Sequence, residues 1–201
     1  WRLFPHNIGE AVAEAGVRFA QQGTTMIFCA RKVSVEPMAK NIVRSLKIHK
    51  ALAERDGTEF ARQRSSNARW TLKQCIRVAE EHMGRDNKVA EYLRAGFVTH
   101  HADTPKPVRI QLEQLVRSGA IRLVVATTTL AQGVNFPIQT VIVHGLSHGY
   151  DQQLTPITFW NVCGRAGRGM HENEGQVLFA VDLDLPNVLL NNTNGLTPVR
   201  I

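Results

Sequence analysis

The chain has 201 residues, 43% hydrophobic and 20% charged, which excludes a disordered or collagen-like polymer and leaves room for one domain with a real core. A net charge of +7 favours a polyanionic partner, nucleic acid above all, although a merely basic protein would carry it too. Cys29, Cys75 and Cys163 show no C-x-x-C spacing, which argues against a zinc or redox pair and for free thiols in a reducing cytoplasm or nucleus.

No apolar run approaches the roughly 20 residues that span a bilayer. The chain opens on Trp1 rather than Met, so it is expected to be part of something longer. Ile8, Val12, Ala15 and Phe19 recur at helical spacing, and Gly23 should stop that helix. Thr24 to Cys29 is expected to be a buried strand. Ser34 can cap a second helix that has Pro37 in its first turn and a stripe of Val35, Met38, Ile42 and Leu46.

The stretch from Arg55 to Arg69 is polar and arginine-rich. It reads as an exposed loop or insertion, either touching nucleic acid or simply solvated. Leu72, Ile76, Ala79 and Met83 resume a helical stripe, and a short helix near Val89 to Leu93 follows. Phe97 to His101 should be a second strand, and Pro105 and Pro107 open a helix that Gly119 ends. Ile121 to Ala126, Thr140 to Val143 and Gln176 to Val181 should be strands three to five.

Strands alternating with helices predict an α/β, RecA-like three-layer sandwich: a mostly parallel sheet with helices on both faces. The domain is expected over residues 1–182, with residues 55–95 a helical and loop insertion and 183–201 an extension. Ligands of such sheets collect at the carboxyl ends of the strands. That rule selects Arg31 and Lys32, then His101 to Asp103, then Thr127 to Thr129. Adjacent His100 and His101 point to opposite faces and cannot easily share a metal, so one should be packed and the other hydrogen-bonded near the site. Zinc is rejected because no third ligand has a suitable spacing. Ser147, His148 and Asp151 lack a G-x-S-x-G elbow and do not make a hydrolase.

Asn161 to Gly169 reads NVCGRAGRG. Each guanidinium of Arg165 and Arg168 is permanently charged and presents a planar fork of donors matched to phosphate oxygens. Such a group can stabilise charge that develops on a transferring phosphoryl group. The glycines are expected to keep the backbone slim enough for a large anion, and the arginines to face the mouth of the sheet. Gly-Arg strings also occur in RNA-binding tails, but here packed elements flank the string.

Together these stretches resemble the second RecA-like domain of superfamily 2 helicases, closest to the DExH branch with a Ski-like pattern. MIFCARK (Met26 to Lys32) is similar to motif IV and VTHHA (Val98 to Ala102) to the segment often written HHAGL. VVATTTLAQGVNFP (Val124 to Pro137) is similar to motif V and NVCGRAGRG to motif VI. The resemblance implies an ATP-dependent motor acting on DNA or RNA. It makes Arg165 and Arg168 arginine fingers, and it places Gly133, Asn135 and Asn161 near the nucleotide. It assigns Arg31 and Thr127 to the nucleic-acid backbone, and their strand-end position suggests Lys32 and Thr128 beside them. ATP and Mg²⁺ would be held mainly by an N-terminal RecA-like domain of the same full-length chain, because no G-x-x-x-x-G-K-[ST] loop occurs here.

Two positions depart from that pattern. Asn161 stands where Gln is usual, which leaves open a non-catalytic RecA-like module that only binds nucleic acid or regulates. Asp103-Thr104 stands where Gly-Leu is usual, and Asp103 is expected to point away or to cap the helix at Pro105.

Overall fold

The computed structural model describes residues 5–56, 66–128, 137–146, 154–167 and 174–180. Five parallel strands, β1 (Thr25–Phe28), β2 (Val98–His100), β3 (Leu123–Ala126), β4 (Thr140–Val143) and β5 (Gln176–Phe179), form one sheet in the order β2-β3-β1-β4-β5. The helices are α1 (Ile8–Gln22), α2 (Val35–Asp56), α3 (Ser66–Met83), α4 (Lys88–Ala95), α5 (Lys106–Arg117) and α6 (Pro156–Cys163), with a 3₁₀ turn at Lys32–Ser34. This is the expected α/β architecture.

Alternation along the strands divides the core. Ile27, Val125 and Ile142 face one side, where they meet Val12 and Val17 of α1 and Met38 and Ile42 of α2. Met26, Phe28, Val124 and Val141 face the other, where α3, α5 and α6 supply Leu72, Cys75, Leu112, Leu115 and Val162. With both faces covered, every residue of β1, β3 and β4 is buried, and so these strands read as continuous apolar runs. Within the 55–95 segment, α3 and α4 carry Leu72, Cys75, Ala79, Val89, Ala90 and Leu93 into this same core.

Local signals set the boundaries. Asn7 caps α1 by accepting a hydrogen bond from the Glu10 N–H at 2.8 Å, and the Gly23 N–H closes it on the Phe19 carbonyl at 3.0 Å. Gly96 ends α4 with φ of 103°, a left-handed value that favours glycine. β3 starts two residues later than its composition suggests, because the Ala120 and Ile121 N–H groups both donate to the Leu115 carbonyl and belong to the turn leaving α5. Val181, the expected end of β5, lies outside the described residues. No described helix is long and apolar enough to cross a membrane.

Candidate functional site

Two edges of the sheet hold the candidate residues. At the carboxyl edge, the order β2-β3-β1 places the turns after His100, Ala126 and Phe28 side by side. Ladder bonds continue past the strand ends: the Thr127 N–H donates to the His100 carbonyl at 3.3 Å and the Cys29 N–H to the Ala126 carbonyl at 2.8 Å. Cys29, Thr127 and His101 therefore sit side by side, with Arg31 and Thr128 in the turns just beyond them. Arg31 is exposed, and its carbonyl accepts from the Ser34 N–H, which opens the 3₁₀ turn. Thr128 is half-buried, whereas Thr127 is only 6% exposed. Of the two hydroxyls, Thr128 is the more accessible.

Lys32 forms an ion pair with Asp103 across the end of β3. This corrects the expectation for Asp103, which neither turns away nor caps α5; the N-cap there is Pro105, with no side-chain cap bond. The reason is reach. β1 and β2 flank β3, so the turns after them bring a flexible ammonium within range of a short carboxylate. Both groups are more than half exposed, and a pair of that kind stabilises by only about 0–1 kcal/mol. It lowers the free positive charge at this edge.

His100 is 2% exposed and its Nε2 lies 3.4 Å from Glu113 Oε1 of α5. Burial holds the His100 imidazole below its ordinary pKa, against the opposing pull of Glu113. The ring of His101 is likewise held down by burial, then by the Lys32 and His100 charges. His100 is both the packed histidine and the hydrogen-bonded one, so the expected division of roles between the two rings does not hold. The Nδ1 of His101 has no hydrogen-bond partner, nor do His100 Nδ1 and Thr104 Oγ1, so three buried unpaired polar atoms gather where β2 ends. Such atoms cost stability and are scarce in a settled core.

At the amino edge lies the arginine loop. α6 starts beside the carboxyl edge, where the Leu154 N–H donates to the Leu146 carbonyl beyond β4. Thr155 caps it by accepting from the Thr158 N–H at 3.2 Å, and Pro156 occupies the first turn. The helix runs back across the sheet, fastened by Val162 in the core and by Phe159 stacked on Phe179 with centroids 5.7 Å apart. Its end is pinned to the approach to β4: Ala166 bridges Ile138, and the Gly167 N–H donates to the Ile138 carbonyl at 2.9 Å. Arg165 is thus placed at the amino edge, opposite the mouth where it was expected. α6 crosses the sheet between the carboxyl end of β4 and this loop.

Gly167 of the loop also has a packing role. Gly167 has φ of 77°, and a Cβ there would fall 2.8 Å from the Gly175 backbone nitrogen. A Cβ on Gly175 would fall 2.2 Å from the Gly167 nitrogen and 2.3 Å from the Ala166 carbonyl carbon. The slim backbone lets the loop lie against the start of β5. Asn161 is exposed one turn before Arg165, which is itself half-buried. Arg168, Gly133 and Asn135 lie outside the described residues, as do Ser147, His148 and Asp151.

Burial pushes the thiols of Cys29 and Cys75 up to about 12 and raises Cys163 as well, so these cysteines are packing groups and not nucleophiles. Ile138, Glu113 and Gly175 were not singled out in the sequence. A glycine immediately before a strand was the one available signal for Gly175, and the other two depend on which segments become neighbours.

Residues 71–170 match the helicase conserved C-terminal domain, a stretch that includes Thr127, Thr128, Asn161, Arg165 and Arg168 but not Arg31 or Lys32. Over 181 residues the chain is 29% identical to the Hachiman protein HamB of Bacillus cereus, covering 90% of this chain and 15% of that protein. It is 31% identical over 118 residues to the ATP-dependent DNA helicase Hel308 of Aeropyrum pernix, covering 57% of this chain and 16% of the relative. It is 34% identical over 97 residues to the DExH-box ATP-dependent RNA helicase DExH13 of Arabidopsis thaliana, covering 46% and 4%. The chain therefore spans a small part of the length of the curated relatives it matches.

Proposed function

The chain belongs to the C-terminal domains of superfamily 2 DExH-type helicases, and from that premise we propose that it is the second motor domain of an ATP-dependent helicase or translocase. In this reading its two edges do different work. The amino edge presents Arg165 and Asn161 towards a nucleotide held on a first RecA-like domain, and Arg168, Gly133 and Asn135 are assigned to the same nucleotide by their motif positions alone. The carboxyl edge presents Arg31, Lys32, Thr127 and Thr128 to a nucleic-acid backbone.

The fit to a nucleotide is that of an outer contact. Arg165 offers a guanidinium on a loop that Ile138 and Gly175 hold in place. Among the described residues no three His, Cys, Asp or Glu side chains come together to hold a metal ion. ATP with Mg²⁺, when bound, supplies the phosphoryl transfer that drives the cycle. Arg165 would neutralise charge on the transferring group, and the bridge of the next residue, Ala166, to Ile138 fixes the backbone that carries it. Because the arginine loop and the backbone-contacting turns are anchored to one sheet, a closure felt at one edge is carried to the other as a rigid body.

The observation that supports this reading best is the double fastening of the arginine loop, by the Ile138 bridge and by the Gly167–Gly175 contact. The test is ATP hydrolysis by the full-length protein with single-stranded nucleic acid present. Arg165→Ala should lower kcat by about 10³-fold or more while leaving nucleic-acid affinity within about twofold. Hydrolysis at the wild-type rate would remove the finger assignment and leave a non-catalytic binding module.

A further inference from the structure

The exposed face of α3 is used by neither edge. Leu72, Cys75 and Ala79 turn into the core. On the opposite side Ser66, Trp70, Lys73 and Arg77 recur at steps of four, three and four, which aligns them along the helix. Trp70 is 65% exposed, Lys73 is exposed, and Arg69 lies exposed on the flank. From Ser66 to Ala79 the sequence holds three basic residues and no acid. The acids come only in the last turn, where Glu80 takes Arg94 of α4 and Glu81 takes Arg77 at 2.9 Å. The half of the helix around Trp70 is therefore positive twice over, from its side chains and from the helix dipole.

We propose that this face is an accessory contact for single-stranded nucleic acid, with Trp70 stacking on a base and Lys73 and Arg77 neutralising the flanking phosphates. A large indole left in water beside Lys73, with no acid between positions 66 and 79 of its own helix and Arg77 held only by an exposed, exchangeable pair with Glu81, suits a polyanion that also carries flat apolar rings. An acidic protein surface would match the charge but leave the indole face without an equivalent partner. The contact is separate from the carboxyl edge. The far end of α3 is the end near that edge: Asn87, which donates to the Ala79 carbonyl, leads into α4, and Lys88 of α4 is close enough to Glu36 at the start of α2 for their charges to interact. Trp70 lies nine residues back along the helix axis, about 13 Å away. A strand engaged by both surfaces would be held at two points.

The test is binding of a long oligodeoxythymidylate to the full-length protein across a salt series. Trp70→Ala should weaken binding about fivefold or more, and Trp70→Phe should restore most of it, because a smaller ring still stacks. The pair Lys73→Gln and Arg77→Gln should flatten the slope of log affinity against log salt by about 0.7 per lost contact. All these residues are exposed, and an unchanged thermal midpoint confirms that the variants fold. Affinity and slope equal to wild type in both the alanine and the glutamine variants would overturn the proposal. Arg31→Ala, measured alongside, keeps the two readings apart. If it alone weakens binding, the α3 contact is refuted and the carboxyl edge stands. If only the α3 variants weaken binding, the α3 contact stands and the carboxyl-edge assignment falls.

Discussion

The two edges of this sheet are built differently. The carboxyl edge is a row of short turns that carry side chains in solvent, and the pair that joins two of those turns, Lys32 with Asp103, is a surface contact. The amino edge is built from backbone. Ala166 and Gly167 join Ile138, and Gly167 lies so close to Gly175 that neither tolerates a side chain. On the function proposed above, the difference would suit two kinds of ligand. A polymer that must slide needs contacts that exchange readily with water and salt. A group that must meet developing charge in one geometry needs a fixed support.

The sharpest way to break this comparison is Gly175→Ala. The added Cβ meets backbone atoms that cannot swing aside, so the arginine loop must shift. Overpacking of this kind costs about 1–3 kcal/mol. ATP hydrolysis by the full-length protein should fall at least tenfold, by about 1.4 kcal/mol of transition-state stabilisation. Nucleic-acid affinity should hold, because the opposite edge is untouched. Parallel losses of both would show that the edges are not independent.

A smaller effect is expected of acid. His100, His101 and His144 are all held below their ordinary pKa chiefly by burial, so the unfolded chain takes up protons that the folded chain refuses. Stability contributed by these neutral rings is present above the ordinary histidine value of 6.5 and is lost as pH falls through it. Denaturant unfolding from pH 8 to pH 5 should show the decline beginning near 6.5, and His144→Gln should make it shallower. A flat profile would mean that the rings gain compensating partners.

Arg31→Ala should weaken nucleic-acid binding several-fold and reduce the salt slope by about one contact, with little change in the rate of hydrolysis at saturating nucleic acid. Asp103→Asn should have the mildest effect. It releases Lys32, so affinity should rise about two- to fivefold at low salt, with stability changed by less than about 1 kcal/mol. An unchanged affinity would show that Lys32 does not meet the polyanion.

Much of the fold was legible because its signals are local. Asn7, Gly23 and Gly96 mark helix ends, and the apolar runs of β1, β3 and β4 are short enough to be strands. The family was legible too, since its motifs are short contiguous strings such as NVCGRAGRG. The edge on which Arg165 sits was not legible. It depends on α6 crossing the sheet and on which strand receives its end. Nor was the Lys32–Asp103 pair, which joins residues 71 apart in sequence.

The sequence by itself determined the element types, the parallel sheet and the chemistry available at each motif, because periodicity, capping and charge act within a few residues. Only the tertiary structure decided that Arg165 and the turns that hold Arg31 and Thr128 stand on opposite edges, and that Gly167 and Gly175 are needed for each other. Strand order and the crossing of α6 arise from burying both faces of the sheet at once. That is a property of the whole core, which no single segment encodes.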